Sequence, residues 1–252
     1  MKFLFAAEAY WVWDRHEEDR SNCHIWIGAK NENGREWINE VLSRANEDGF
    51  YYQPRLDEEL LDLLPAGDVW ITTACVAGWK YRSEEEDRLK ALWKKLYDKH
   101  GDNFMFEVQY HPSERQKELN RYILELRKEI PAPIIMGCDS HYIDADGAEL
   151  RTDFLVSKEE RKAYDDEEDW YMDYPDGDIA VQRFREQGVL NEAEIESAIN
   201  QTNCFLEVEE YECDIFDDST KLFSLHPDWT QEQKDAEYMR LVQEGWEAYK
   251  PE

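Results

Sequence analysis

Positive charges are scarce in this sequence. It has 29 lysine and arginine residues against 59 aspartate and glutamate residues, a formal net charge of −30 over 252 residues. A protein that coats nucleic acid neutralises phosphates with lysine and arginine, so the composition argues against DNA binding by a bare surface. Any role on nucleic acid would need bound metal ions or a basic partner. The simplest interpretation of the acidity is solubility or adaptation to high salt, and a DNA-mimicking surface is the alternative.

Long apolar segments are also missing. No run reaches the ~18 residues that a membrane helix needs. The apolar start of the chain meets Asp14 and Arg15 too early for a secretory signal. The cysteines form no CxxC pair; they are Cys23, Cys75, Cys138, Cys204 and Cys213. These absences predict a cytoplasmic protein with reduced thiols and no membrane partner.

Aromatic and apolar residues are abundant and fall into an alternating pattern. Hydrophobic residues make up 42% of the chain, enough to build a core. Short apolar runs predict strands at 2–13, 23–30, 68–75, 103–110 and 132–138. Longer patterns of helical spacing lie between them, at 31–49, 57–64, 83–101 and 112–130. The alternation predicts a parallel sheet or an α/β barrel.

The C-terminal part of the chain has a different character. Residues 157–178 are charged, aromatic and rich in turn residues, which predicts a loop. Residues 191–208 predict a capped helix that leads into a short strand, and residues 230–250 predict a last helix. No internal repeat is visible, and the acidic runs are most simply solvated surface.

Side chains that can bind a metal ion recur near the ends of the predicted strands. Glu8 lies in the first strand, His24 near the start of the second, and Cys75 at the end of the third. Asp139 and His141 follow the fifth strand. Glutamate, aspartate, histidine and cysteine are the usual ligands of Zn²⁺, Mn²⁺ and Fe²⁺. Each of them alone is more often structural, and their spacing does not establish that they converge.

Three motifs occur in a specific order: GFYYQPR at 49–55, CVAG at 75–78 and DSHY at 139–142. With their flanking segments, they make the chain resemble the PHP (polymerase and histidinol phosphatase) domain of the bacterial DNA polymerase III alpha subunit. The C-terminal stretches resemble the segment that leads from this domain into the polymerase palm. The resemblance covers nearly the whole chain. It implies a distorted α/β barrel that holds up to three divalent metal ions, Zn, Mn or Fe.

The resemblance also implies roles for individual residues. Glu8 matches a glutamate that bridges two metals, and His24 and Cys75 match further ligands of one of them. Asp139 and His141 match the ligands at the last strand. Cys75 would bind as a thiolate and the histidines as neutral imidazoles. The His111 position is close to a histidine-containing loop of the family and is not expected to be a ligand.

The family domain begins with a His-x-His strand end, and further ligands precede the position of Glu8. Met1 lies seven residues before Glu8. The resemblance therefore implies an incomplete distorted (β/α) barrel of the PHP type with a C-terminal helical extension. Residues 1–156 would form the barrel portion, 157–210 an excursion and helix, and 211–252 a linker and helix leading towards a palm. Open sheet edges invite pairing with another chain.

The function that the resemblance implies is a metal-dependent phosphoesterase or 3′–5′ exonuclease site completed by another chain. The expected partners are other polymerase segments or replisome subunits, with DNA reached indirectly, in a bacterial or phage-infected cell. One alternative is a non-catalytic scaffold module of a split, phage-type polymerase. Another is an acidic interaction protein that mimics DNA.

Overall fold

The computed structural model describes residues 2–79, 82–157, 170–209, 226 and 228–249. The chain divides into two compact units, Met1–Tyr211 and Glu212–Glu252. The first unit contains a sheet and seven α-helices among its described residues, and the second contains one helix. Cys213 and most of the segment predicted as a loop, 158–169, lie outside the described residues.

The first unit is built on a mixed sheet of seven strands in the order β3-β4-β1-β2-β5-β6-β7. The strands are β1 (Ala6–Trp11), β2 (Cys23–Ala29), β3 (Phe50–Tyr51), β4 (Gln53–Leu56), β5 (Val69–Thr72), β6 (Phe104–Val108) and β7 (Ile134–Met136). Each of the five predicted strands is present, and the α/β class is confirmed. The pairings form a linear series and do not establish a barrel.

The direction of β2 corrects the predicted parallel arrangement. β2 runs antiparallel to both of its neighbours, β1 and β5, whereas β1 is parallel to β4 and the run β5-β6-β7 is parallel. A parallel pair needs a crossover of about a dozen residues or more, usually a helix. Residues 12–22, which join β1 to β2, contain no helix. The chain therefore turns back on itself, and β2 enters the sheet in the reverse direction.

The predicted helices are present in both units. The helices are α1 (Glu32–Glu47), α2 (Glu58–Leu61), α3 (Arg82–His100), α4 (Glu114–Leu126), α5 (Ala145–Ser157), α6 (Gly177–Gln187), α7 (Glu192–Gln201) and α8 (Gln231–Tyr249). α7 has the predicted cap, with the Asn191 side chain and Glu194 closing a capping box. In α8, the second unit's helix, Tyr238 and Trp246 are exposed. None of the described helices is long and apolar enough to span a membrane.

Other parts of the prediction were wrong. The end of the stretch 191–208, expected to be a short strand, is a 3₁₀ helix, Thr202–Glu207, that packs Cys204 and Phe205 against the sheet. α5 and α6 were not predicted, and nor was the β3–β4 hairpin, which turns at Tyr52 with a φ of 61°. Hairpin turns of this type usually carry glycine or asparagine at such a position, and a tyrosine there is not an ordinary turn signal.

The two faces of the sheet differ in composition. One face carries Trp11, Ile25, Ile71 and Phe106, each with 0% exposure, in the main core beneath the long helices. Side chains alternate between faces along a strand. The opposite face therefore carries Glu8, Trp26, Thr72 and Glu107, together with a small apolar cluster around Trp70 and Met105. The same strands therefore supply apolar side chains to the core on one face and polar side chains to the other face.

Candidate metal centre

The strand directions bring the predicted residues to one edge of the sheet. β2 is antiparallel to both β1 and β5, so β1, β5, β6 and β7 all point the same way. Cys75 and Asp139 follow the carboxyl ends of β5 and β7. The reversed β2 begins at this same edge, and His24 is its second residue. The five strands thus deliver their polar side chains to one place, as expected for the carboxyl ends of an α/β sheet.

Glu8, His24 and Cys75 are in contact. His24 Nδ1 lies 2.6 Å from Glu8 Oε1 and 3.6 Å from Cys75 Sγ. Two ligands of one tetrahedral zinc ion lie roughly 3.3–3.5 Å apart, given metal–ligand distances of ~2.0–2.3 Å. The imidazole–thiol distance therefore suits a shared ion, whereas the glutamate–imidazole contact is a hydrogen bond. That hydrogen bond lowers the pKa of Glu8.

Two more carboxylates share a cavity of about 240 Å³ with Glu8 and Cys75. They are Asp139, which was predicted, and Glu107, which was not. Glu107 accepts hydrogen bonds from Thr72 Oγ1 and Gln109 Nε2, each at 2.9 Å. The sequence signal for Glu107 is a charged residue on the alternating pattern of an otherwise apolar strand, FMFEV, near its carboxyl end.

The cavity is electrostatically unfavourable for further negative charge. Burial, reinforced by the charges of Asp139 and Glu8, raises the pKa of Glu107 to about 7. Burial, with the charge of Glu8 added, also raises the pKa of Asp139, although His141 opposes the shift. Burial and the charge of Asp139 raise the pKa of the Cys75 thiol to about 12. Cys75 is therefore a neutral thiol here, and a thiolate would need a cation beside it.

Strained backbone conformations occur at the cavity. The described residues other than glycine with positive φ are Tyr52, Ala74 and Asp139, and the last two line the cavity. Ala74 has a φ of 54° and Asp139 a φ of 48°. Aspartate tolerates this left-handed region, but alanine is rarely found there. Such strain persists only where the surroundings impose it, and it tends to cluster at functional sites.

Two glycines give the site its space. A Cβ on Gly78, the last residue of the CVAG motif, would lie 1.9 Å from the Thr73 carbonyl oxygen. A Cβ on Gly137, just before Cys138, would lie 1.9 Å from Glu107 Oε1. Only glycine permits the backbone approach at Gly78, which therefore shapes the turn that holds Cys75. Gly137 leaves room for the Glu107 carboxylate in its observed position.

His141 lies at the exposed rim. Its ring Nδ1 is 2.7 Å from the carbonyl oxygen of Asp139, and its backbone N–H donates to the carbonyl of Met172 at 2.8 Å. It is not among the residues that line the cavity, although its charge acts on both Glu8 and Asp139. The structure thus groups Glu8, His24, Cys75 and Asp139 closely, with His141 beside them.

The other histidine near a strand end has a packing role. His111 is fully buried and stacks on Trp170, with ring centroids 4.8 Å apart and planes 14° apart. Burial lowers its pKa to about 4, so the ring is neutral near pH 7.

The GFYYQPR motif also serves the fold. Arg55, which is 2% exposed, donates to the carbonyl oxygens of Gly49, Glu17, Asp19 and Arg15 at 2.7–3.0 Å. These bonds fasten the connection between β1 and β2 against the hairpin. The motif therefore stabilises the loop that reverses the chain between β1 and β2, and it contributes no side chain to the cavity.

The donor types fit a divalent metal ion, but the arrangement is not preformed. Carboxylates and a thiol line the cavity, with the His24 imidazole in contact with two of them. A cation would relieve the raised pKa values of Cys75, Glu107 and Asp139. Among the described residues, no group of three or more histidine, cysteine, aspartate or glutamate side chains already has the placement to hold a metal ion. Occupation would require Glu8 to exchange its hydrogen bond with His24 for metal coordination.

Comparison with known proteins gives a distant homology to DNA polymerase III alpha subunits. The chain is 33% identical over 129 residues to the DNA polymerase III subunit alpha of Aquifex aeolicus, covering 50% of this chain and 11% of that protein. The subunit of Borreliella burgdorferi is 30% identical over 135 residues, covering 51% and 11%. The subunit of Thermus aquaticus is 27% identical over 155 residues, covering 60% and 12%. No family model matches the chain. The chain thus spans about a tenth of the length of these relatives.

Proposed function

We propose that the chain is a PHP-type portion of a DNA polymerase III alpha-like protein, with a metal-dependent phosphoesterase or 3′–5′ exonuclease site. The observation that carries the proposal is the convergence of Glu8, Glu107 and Asp139 with Cys75 in one cavity, where burial and mutual repulsion raise three of the four pKa values. Keeping so many acidic groups together is costly unless a cation offsets their charge. The homology to polymerase subunits makes a phosphate ester the natural substrate class.

In this proposal, the chain's residues divide the work. Glu8, Asp139, His24 and Cys75 would hold divalent ions, with His141 at the rim. When bound, such ions lower the pKa of a water molecule and neutralise charge on phosphate oxygens. Glu107, with a pKa of about 7, is suited to take up and release a proton at a carboxylate oxygen near neutral pH. Thr72 Oγ1 holds that carboxylate in place at 2.9 Å.

The proposal includes a further polymerase segment that completes the metal shell. The resemblance implies family ligands that precede the position of Glu8, and the proposed partners are other polymerase segments or replisome subunits. DNA would be reached through them, because a surface with a net charge of −30 repels phosphates.

A second candidate is a non-catalytic module that supports a polymerase. It is favoured by the observation that no three potential ligands among the described residues are arranged for a metal ion. The two candidates differ in metal binding, since the module needs none.

Metal content of the full chain, purified without chelator and measured by mass spectrometry, tests the proposal. We expect at least about one equivalent of divalent metal, lost on Cys75→Ser or Asp139→Asn but retained on Cys204→Ser, a cysteine outside the cavity. Release of p-nitrophenolate from the phosphodiester bis(p-nitrophenyl) phosphate in Mn²⁺ should follow the same order. Metal content far below one equivalent in every form would overturn the proposal and leave the non-catalytic module.

A further inference from the structure

The cavity has a second wall that the proposed chemistry does not use. Beside the acids it is lined by Trp26, Phe205, Ile135 and Met136. Trp26 and Phe205 are partly exposed, with ring centroids 5.1 Å apart and planes 50° apart. An apolar, aromatic wall beside a few polar groups is the usual design of a small-molecule pocket.

The aromatic wall is held firmly in place. A Cβ on Gly28 would lie 2.3 Å from Trp26 Cη2, so the indole lies flat along its own strand over the space that this glycine leaves. Phe205 is supported from behind by Trp70, which is 1% exposed, at a centroid distance of 5.3 Å. The two aromatic side chains are thus already held in place. A ring that packs on them loses little binding free energy to the ordering of protein side chains.

The wall lies directly beside the acidic groups. Trp26 pairs across the sheet with Glu8 on one side and with Thr72 on the other. Such cross-strand neighbours have Cβ atoms ~4.5–5.5 Å apart on one face of the sheet, and Thr72 donates to Glu107. A phosphate ester at the acids would therefore place the group attached to it on the indole.

We infer that Trp26 and Phe205 form a stacking subsite for one unpaired nucleobase of the substrate. The inference rests on the proposed function, of which it names the substrate class. Base–aromatic stacking needs no positive charge, which suits a chain whose net charge of −30 works against phosphate binding. The cavity of about 240 Å³ is below the ~300–1,000 Å³ of pockets for drug-sized ligands. It therefore suits a single nucleotide and excludes a duplex.

The test separates the base subsite from the metal-dependent chemistry. Saturation-transfer NMR on the full chain would compare the binding of deoxyadenosine with that of 2-deoxyribose, neither of which carries a phosphate. We expect deoxyadenosine to bind at least about fivefold more tightly. Trp26→Leu and Phe205→Leu should each remove most of this preference. Trp246→Leu, the same change at an exposed residue in the second unit, should keep it.

Two outcomes would overturn the inference: equal binding of both probes, including no binding of either, or a preference that survives in both Trp26→Leu and Phe205→Leu. Gly28→Ala, which displaces the indole without removing it, gives an independent variant if Trp26→Leu does not fold. A second titration compares deoxyadenosine 5′-monophosphate with and without Mn²⁺. If Mn²⁺ gives no gain while the deoxyadenosine preference holds, the proposed function fails and the base subsite stands.

A short single strand, the trinucleotide d(AAA), distinguishes the two sources of the base. Tighter binding of d(AAA) than of the mononucleotide supports a strand end as the ligand, and the reverse supports a free nucleotide. In either case the base subsite is supported only if Trp26→Leu weakens the binding of both.

Discussion

The two faces of the sheet are made by the same strands and have opposite character. Along β2, Ile25 and Ile27 are fully buried in the main core. His24 and Trp26 on the other face are partly exposed, and Trp26 lines the cavity. On β6, Phe106 belongs to the core and its neighbour Glu107 to the cavity. Burial of apolar side chains on the core face stabilises the fold, whereas burial and mutual repulsion of the acids on the other face destabilise it. Substitutions on the two faces should therefore have separable effects on stability and on ligand binding.

The largest effect is expected on the core face. Phe106→Ala deletes a ring with 0% exposure that contacts Phe104 and Trp79 at centroid distances of 5.4 and 5.9 Å. Such a deletion leaves a cavity and should lower the free energy of unfolding by about 3–5 kcal/mol, as measured by urea denaturation. A loss below 1 kcal/mol would show that this face is not the source of stability.

Glu107→Gln, the next residue, should have the opposite sign. The pKa of Glu107 is raised to about 7 in the folded chain, so between about pH 4.5 and 7 the folded state holds a proton that the unfolded state has released. The free energy of unfolding then falls as the pH rises through this window. Without added metal, the variant should be about 1–3 kcal/mol more stable than wild type at pH 8, and the difference should vanish near pH 4.5.

The exposed Glu114→Gln is the control for that comparison. It removes a surface ion pair with Lys117, so the difference in the free energy of unfolding should be small and constant across pH 5–8. The quantity compared is the free energy of unfolding of each variant minus that of wild type, because His100 and His111, with pKa values lowered by burial to about 4, add a slope of opposite sign to every form. A variant less stable than wild type at pH 8 would contradict the raised pKa that burial and the neighbouring acids give Glu107.

Gly137→Ala should disturb the acidic face with a smaller cost. The added Cβ would lie 1.9 Å from Glu107 Oε1 and push this carboxylate from its hydrogen bonds to Thr72 and Gln109. We expect a loss of about 1–2 kcal/mol in thermal or urea unfolding. Gly67→Ala, where nothing lies within 4 Å of the new atom, should change stability by less than about 0.5 kcal/mol.

Ala74→Gly should give the smallest effect, a gain. Alanine at a φ of 54° is strained, and glycine relieves a cost of roughly 1–2 kcal/mol, partly offset by its larger unfolded-state entropy. The expected net gain is about 0.5 kcal/mol, read as a small rise in the midpoint of thermal unfolding. Ala29→Gly, in a regular strand, should lower the midpoint instead. If Ala74→Gly lowers the midpoint of thermal unfolding as Ala29→Gly does, the backbone at Ala74 is not strained.

The sequence was more informative about the core face than about the acidic face. Apolar runs such as CHIWIGA located the strands, because burial demands apolar side chains at every second residue. The direction of β2 was not readable, since it depends on a loop fastened by the side chain of Arg55 to carbonyl oxygens distant in sequence. Glu107 was missed because its partner Thr72 lies 35 residues away. The position of Trp26 at the cavity was not predicted, because its apolar neighbours in β2 make the strand look buried on both faces.

The meeting of Glu8, His24, Cys75 and Asp139 at one edge could be proposed only from strand ends and family motifs. Pattern alone does not give the cross-strand register, which is set by side-chain packing on both faces. The same limit explains why the 3₁₀ turn with Phe205 was taken for a strand. Cys204 and Phe205 pack on the small apolar cluster of the sheet, and nothing local in the sequence distinguishes that role from a strand.

Thermal unfolding with and without Mn²⁺ tests most directly whether the acidic face is a cation site supported by an independent core. A ligand that binds only the folded state raises the midpoint with its concentration. We predict that the midpoint of wild type rises with Mn²⁺ concentration. Ile71→Val should lower the starting midpoint but keep the rise. Asp139→Asn should leave the starting midpoint unchanged or higher, because it removes a buried acid whose pKa is raised, and should lose the rise. No rise in wild type, or an equal rise in Asp139→Asn, would contradict the account.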